Sequence, residues 1–355
     1  MQEIVRDKKL DTYRALTLIY IVCVIHVSYW LFPIQFEPYI KGLLLWEMPA
    51  IFFIAGASAQ MSRKKSIREQ IVSRSKRVLL PYYEYALLCL LLLTGLSVLP
   101  LTAREISYKI TDYNISDFLS VLLAQKIPGV PMVRHLWFVV PYMLVSISFP
   151  LQRTWVERYR TKYLLACIIV FVCVEQLFRI IHIDYFQYHW ILRFVVFNIV
   201  YFACYNIFFI AGFLFYKKIR KKHIVMILIT SLLIFIILTN GRIPDMQGEK
   251  FPPTSVFVSF STVWLCLLGF VKIPALKGTI MNRWNSYGFT MYLYQNFAFL
   301  IFHFTAAQVI PQVVGWGFLG FIISVIALFI ISTLLSYITV PYESFMSRFV
   351  LKKCK

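Results

Sequence analysis

Acidic residues are scarce in this chain: 16 Asp and Glu stand against 36 Lys and Arg in 355 residues, and only 15% of the residues are charged. Soluble domains carry about 25% charged and 45–50% apolar residues. With 60% hydrophobic residues, 17% aromatics and a mean hydropathy of +0.72, the composition excludes an ordinary soluble enzyme. Cysteine pairing is missing as well, because the seven cysteines form no C-x-x-C motif and six lie inside apolar runs. Neither a zinc site nor a disulfide frame is therefore signalled. There is no linker, low-complexity run or clear internal repeat, and no hydrophilic stretch long enough for a soluble domain of about 50 residues. A single membrane domain over 1–355 is expected. The net charge of +20 does not imply nucleic acid, because the basic residues fall in short clusters between apolar spans.

What the chain does have is apolar runs of spanning length. At about 20 residues per crossing, ten helices are predicted, roughly 12–31, 41–61, 79–100, 136–152, 163–180, 194–216, 224–239, 255–272, 286–308 and 317–340. The first span is longer than a signal-peptide core and has no small-residue cleavage site, so it is expected to be retained. With both termini placed in the cytoplasm, 27 of the 36 Lys and Arg fall on the inner side and 9 on the outer. That asymmetry follows the positive-inside rule. The expected fold is an all-α polytopic bundle of about ten transmembrane helices. Between about residues 101 and 135 an apolar run too short to span breaks at Pro128, Gly129 and Pro131, which fits a re-entrant or interfacial element or an amphipathic surface helix.

Ionisable residues inside such spans mark candidate sites. His26 lies about 14 residues into helix 1, or roughly 20 Å from its cytoplasmic end. A neutral imidazole there can serve as general base toward a hydroxyl, or it can simply be satisfied by an inter-helix hydrogen bond. The densest basic cluster, RKKSIREQIVSRSKR, ends in Arg74 and Arg77, which share a helix face. Their planar forks suit a phosphate-rich ligand, while anionic lipid headgroups offer the plainer explanation. His135 and Trp137 open helix 4, where they can face an external acceptor or anchor the interface. Glu47, Glu84, Glu175, Asn206 and Asn296 are polar groups within spans, expected mostly to bond between helices, with Glu84 partly wet. The G-x-G-x-x-G match at Gly315–Gly320 follows no strand, so the dinucleotide reading fails and close helix packing is expected there.

Five segments together resemble the acyltransferase-3 family of integral membrane acyltransferases. They are LDTYRALTLIYIVCVIH from Leu10, MPAIFFIAGA at Met48 to Ala57, R-x-x-R at Arg74 to Arg77 followed by VLLPYY, HLWF at His135 to Phe138, and SYGFTMYLYQ at Ser286 to Gln295. The resemblance implies transfer of an acyl group, usually acetyl, from cytosolic acyl-coenzyme A to a hydroxyl of an extracytoplasmic or lipid-linked glycan. On that analogy His26 is the essential histidine, Arg14 its basic companion, and Arg74 and Arg77 the pair associated with the acyl donor. No metal is implied, and the expected location is the plasma or inner membrane.

Two departures from the family pattern matter. Eleven residues separate Arg14 from His26, where the family usually has ten. An ideal helix turns the pair about 120° apart at that spacing, against about 20° for ten. Either Arg14 leaves the histidine's face or a π-bulge restores the alignment. Gln295 stands where the family tends to have histidine, which removes proton transfer and leaves hydrogen bonding. Cys23, three residues before His26, shares its face on an α-helix and could pair with it, but a small core role and direct transfer are preferred. A polysaccharide or lipid-linked glycan transporter is the competing class, disfavoured by the lack of a visible repeat.

Overall fold

Asp7 caps the first helix: its carboxylate accepts from the backbone N–H groups of Lys9 (3.0 Å) and Leu10 (3.4 Å), which satisfies donors the first turn leaves open. The computed structural model describes residues 7–32, 38–97, 123, 134–180, 190–306 and 310–353, and these form helices without a strand. In chain order they are α1 (Lys8–Trp30), α2 (Ile40–Met61), α3 (67–97), α4 (His135–Tyr159), α5 (Thr161–Ile180), α6 (Trp190–Phe215) and α7 (Lys221–Thr239). There follow the short α8 (Met246–Lys250), α9 (Ser255–Phe270), α10 (Thr279–Leu293), α11 (Gln295–Ala306), α12 (Ile310–Gly315) and α13 (Phe318–Lys353).

The described part of each predicted span overlaps one of these helices or the α10–α11 pair. Among the described residues, seven helices are long and apolar enough to cross a membrane: α1, α2, α4, α5, α6, α7 and α13. Of the others, α9 is short, and the α10–α11 span breaks at Tyr294. α10 also carries Arg283, Asn285 and Ser286, residues that a lipid-facing helix avoids. Such a helix is at home only where neighbours supply polar partners. The segment expected to re-enter the outer face falls almost wholly outside the described residues.

Backbone proximity holds the centre. α2 packs against α6 through Gly56 and Gly212, where an added Cβ would lie 1.8 Å from the Phe209 carbonyl oxygen and 1.9 Å from that of Phe53. Only glycine permits that approach, which replaces the missing hydrophobic drive in lipid with dense contact. At the start of α13, Gly320 sits equally close to the Val313 carbonyl and Gly317 takes a positive φ of 60°. The G-x-G-x-x-G match is thus a packing and turning element.

Most buried acids and amides do bond between elements. Glu47 forms a buried ion pair with Lys250 of α8. Glu175 of α5 accepts from Arg179 (2.7 Å) and from the Ser255 backbone N–H at the start of α9 (3.0 Å). Asn206 donates to Gln152 across α6 and α4 (2.9 Å). Glu84, expected to be partly wet, is instead only 5% exposed, because α3 turns it inward.

Candidate functional site

Arg14 ties α1 to two neighbours. Its guanidinium donates to Asp11 (3.1 Å), to Asn285 Oδ1 of α10 (3.1 Å) and to Ser58 Oγ of α2 (2.7 Å). Beyond it α1 widens into a π-helical segment, Tyr20–Ile25, that ends at His26. Of the two outcomes left open by the sequence, the π segment is the one that occurs. A π turn absorbs one extra residue, and both side chains consequently meet the α10–α11 arm. His26 Nδ1 lies 2.6 Å from Gln295 Oε1. An amide oxygen only accepts, so this contact keeps hydrogen on Nδ1 and leaves the lone pair on Nε2. The ring stacks on Trp30 with centroids 4.4 Å apart and stays partly exposed.

Cys23 lies inside the π segment, fully buried in the main hydrophobic cluster. The three-residue spacing that would pair it with His26 belongs to an α-helix, not to this wider turn.

His135 enters from the start of α4, where Arg134–Phe138 form a 3-10 turn. Residues three apart eclipse in such a turn. His135 and Phe138 accordingly both reach Tyr292, at centroid distances of 5.1 and 5.0 Å. The Tyr292 hydroxyl donates to the His135 main-chain carbonyl, and Asn296 Nδ2 lies 3.1 Å from His135 Nδ1. His135 Nε2 is buried without a hydrogen-bond partner among the described residues. The two imidazoles stand edge to face, 6.3 Å apart. Trp137 does not join them. Two residues along a 3-10 turn is a rotation of about 240°, and Trp137 packs against Tyr201 (5.1 Å) and Phe251 (4.9 Å) beneath Lys250.

A cavity of about 970 Å³ leads toward this pair from the end of the bundle that carries the basic cluster. Arg63, Lys65, Arg74, Lys76, Arg77 and Arg153 line its mouth, Arg14 its flank, and Phe138 and Tyr292 its depth. Arg74 sits where α3 passes into a second π segment, Ser75–Leu79, and donates to the Tyr142 hydroxyl at 2.8 Å. The mouth is electrostatically crowded: burial and then the charges of Arg74, Arg77 and Arg63 hold the Lys65 ammonium below its usual range, with Glu69 opposing. A polyanion placed there would relieve that repulsion.

Fold and site together define a membrane-embedded helix bundle with a histidine pair packed against Tyr292 in the wall of a basic cavity. The family model described as an acyltransferase domain, that of the acyltransferase-3 family, matches residues 7–340, nearly the whole chain. This chain belongs to the acyltransferase-3 family and is a membrane acyltransferase. No curated protein and no solved structure matched it.

Of the residues singled out from sequence, the structure brings His26 together with His135, and Arg14, Arg74 and Arg77 around one cavity. Sequence reasoning missed Ser58, Asn285, Tyr292 and Glu343. One signal was available for part of this set. Two charged or basic groups twelve positions apart on α1 are matched by two amides, Asn285 and Gln295, ten positions apart on the late span.

Proposed function

We propose that the protein is a plasma-membrane O-acyltransferase that moves an acyl group, most simply acetyl, from cytosolic acyl-coenzyme A to a hydroxyl of an extracytoplasmic or lipid-linked glycan. It does so as one domain of ten helices with both termini in the cytoplasm. The observation that carries this reading is the continuity of the cavity, which joins a mouth rich in arginine and lysine to the wall beside His26. Arg74 and Arg77 bind the phosphates of the donor, whose acyl arm runs inward past Arg14. His26 Nε2 takes the proton of the acceptor hydroxyl as its oxygen attacks the acyl carbon, and Gln295 holds the ring in the tautomer that a base requires. His135 and Trp137 lie on the acceptor side, His135 next to the reacting oxygen and Trp137 further out. Positioning accounts for much of the rate in such a site, since Arg14 and Gln295 fix the two ends of one helix against one arm.

The test uses purified protein in nanodiscs with acetyl-coenzyme A and a glycan extract of the same membranes. Release of free thiol together with acetylated glycan supports the reading, and a folded His26→Ala protein that acetylates at the wild-type rate overturns it. Glycan movement without thiol release would favour a transporter.

A further inference from the structure

The reaction leaves one proton unassigned. When the acyl carbon passes to the acceptor oxygen, the carbon–sulfur bond breaks and its electrons go to sulfur, which leaves most readily if it is protonated. Among the described residues, one carboxylate lines the cavity, that of Glu343. It belongs to α13 and is 8% exposed, with Oε2 accepting from the Thr290 hydroxyl at 2.7 Å and Oε1 buried without a hydrogen-bond partner. Among the described residues, no Lys, Arg or His forms an ion pair with it. With Oε2 taken by Thr290, Oε1 is the carboxyl oxygen left without a partner among the described residues, so it is the one placed to exchange a hydrogen with a ligand in the cavity.

Its place along the cavity fits the sulfur. Thr290 precedes Tyr292 by two residues on α10, about 3 Å of helix rise, and Tyr292 stands 6.0 Å from the His26 ring. A thioester threaded from the basic mouth toward His26 presents its carbonyl to the histidines and its sulfur to the side where Glu343 lies. Resting on the acyl-transfer reading above, we propose that Glu343 is the general acid of the transfer and protonates the departing thiol.

The step balances. The hydroxyl O–H bond breaks to His26 Nε2, the new ester C–O bond forms, the C–S bond breaks, and the Glu343 O–H proton goes to sulfur. Products are the ester, a free thiol, protonated His26 and the Glu343 carboxylate. Water entering from the mouth returns the proton from the histidine to the carboxylate.

Two donors of nearly equal shape separate this role from a structural one: acetyl-coenzyme A and its selenoester analogue, whose selenol is far more acidic and leaves without a proton. Full-length wild-type, Glu343→Gln and Glu343→Asp proteins in nanodiscs are compared with the membrane glycan extract as acceptor. The expectation is a loss of about 100-fold for E343Q on the thioester, within the range of general acid catalysis, against less than about 5-fold on the selenoester, with E343D between. Equal losses on both donors, or none on either, overturn the assignment. Should E343Q fail to insert, E343D is read alone with the same donor pair: a loss confined to the thioester supports the acid, and equal losses on both donors, or none, overturn it. A wild-type protein that releases no thiol from acetyl-coenzyme A sinks the acyl-transfer reading itself. Wild-type transfer with donor-independent loss in E343Q sinks only the acid.

Discussion

α1 and α7 are both apolar helices near the length of a membrane, and α7 is the more uniformly apolar of the two. Half of the apolar window of α1 is buried in the bundle, and none of that of α7. α7 runs as an unbroken α-helix to a left-handed Asn240 cap, with Ile229, Leu233 and Ile237 turned outward. α1 carries Arg14 and His26, widens into a π segment between them, and bonds to α2, α10 and α11. Lipid rewards regularity, because each backbone group must be satisfied within the helix. Departures from regularity and apolarity survive only where neighbouring helices compensate, and those places mark the site.

Substitutions should respond to that contrast. The largest effect is expected for His26→Ala, about 10³-fold or more in turnover, the scale at which a general base contributes; replacing Leu233 of α7 with Ala should leave turnover within about twofold of wild type. Equal sensitivity of the two helices would break the comparison. Next come Arg74→Lys and Arg77→Lys, each expected to raise the donor KM about 10-fold with little change in kcat, since a point charge replaces a bidentate fork. Steady-state kinetics over donor concentration decides it, and an unchanged KM would remove these residues from the donor site.

A subtler test acts on the π segment. Deleting Val24 removes the residue that the wide turn absorbs, so Arg14 and His26 stay aligned on a regular helix and activity should remain within about 10-fold of wild type. Deleting Leu16, outside the segment, swings Arg14 by about 100° and should cost far more. Matching losses for the two deletions would show that the π turn does not set the register.

The smallest effect lies at the basic end, where Asp7 meets Lys217 and Tyr216. Burial opposes the charge of Asp7, but hydrogen bonds from Lys217, Tyr216 and the Leu10 backbone hold its carboxyl below the usual range. A lowered value in the folded state gives stability that is present above the unfolded value, near 3.9, and lost as pH falls through the folded one. Thermal midpoints measured from pH 7 down to pH 3 should therefore drop less in Asp7→Asn than in wild type. Parallel curves would discount the contact.

Much of this was legible in the sequence. The span positions, the histidine in helix 1 and the basic cluster can be read from hydropathy and charge because lipid imposes a simple code on whatever touches it. The π-bulge was readable as one of two outcomes, since spacing alone fixes the angular error that a bulge must cure. Trp137 was not readable as separate from His135, because that depends on a 3-10 turn that sequence does not announce. Glu343 escaped notice for a different reason: it stands between Pro341 and the basic tail, where an acid looks like part of an interface. The α10–α11 arm looked like any span, yet its polar residues are there for Arg14 and His26.

The cavity also changes what the membrane is, electrically. A cavity of about 970 Å³ with a basic mouth reaches into the bundle as far as Tyr292. A potential across such a bundle, worth about 2.3 kcal/mol per elementary charge per 100 mV, would fall mainly over the protein beyond a solvent-filled cavity. A proton moving at the histidine pair, behind Tyr292, would then cross most of that drop.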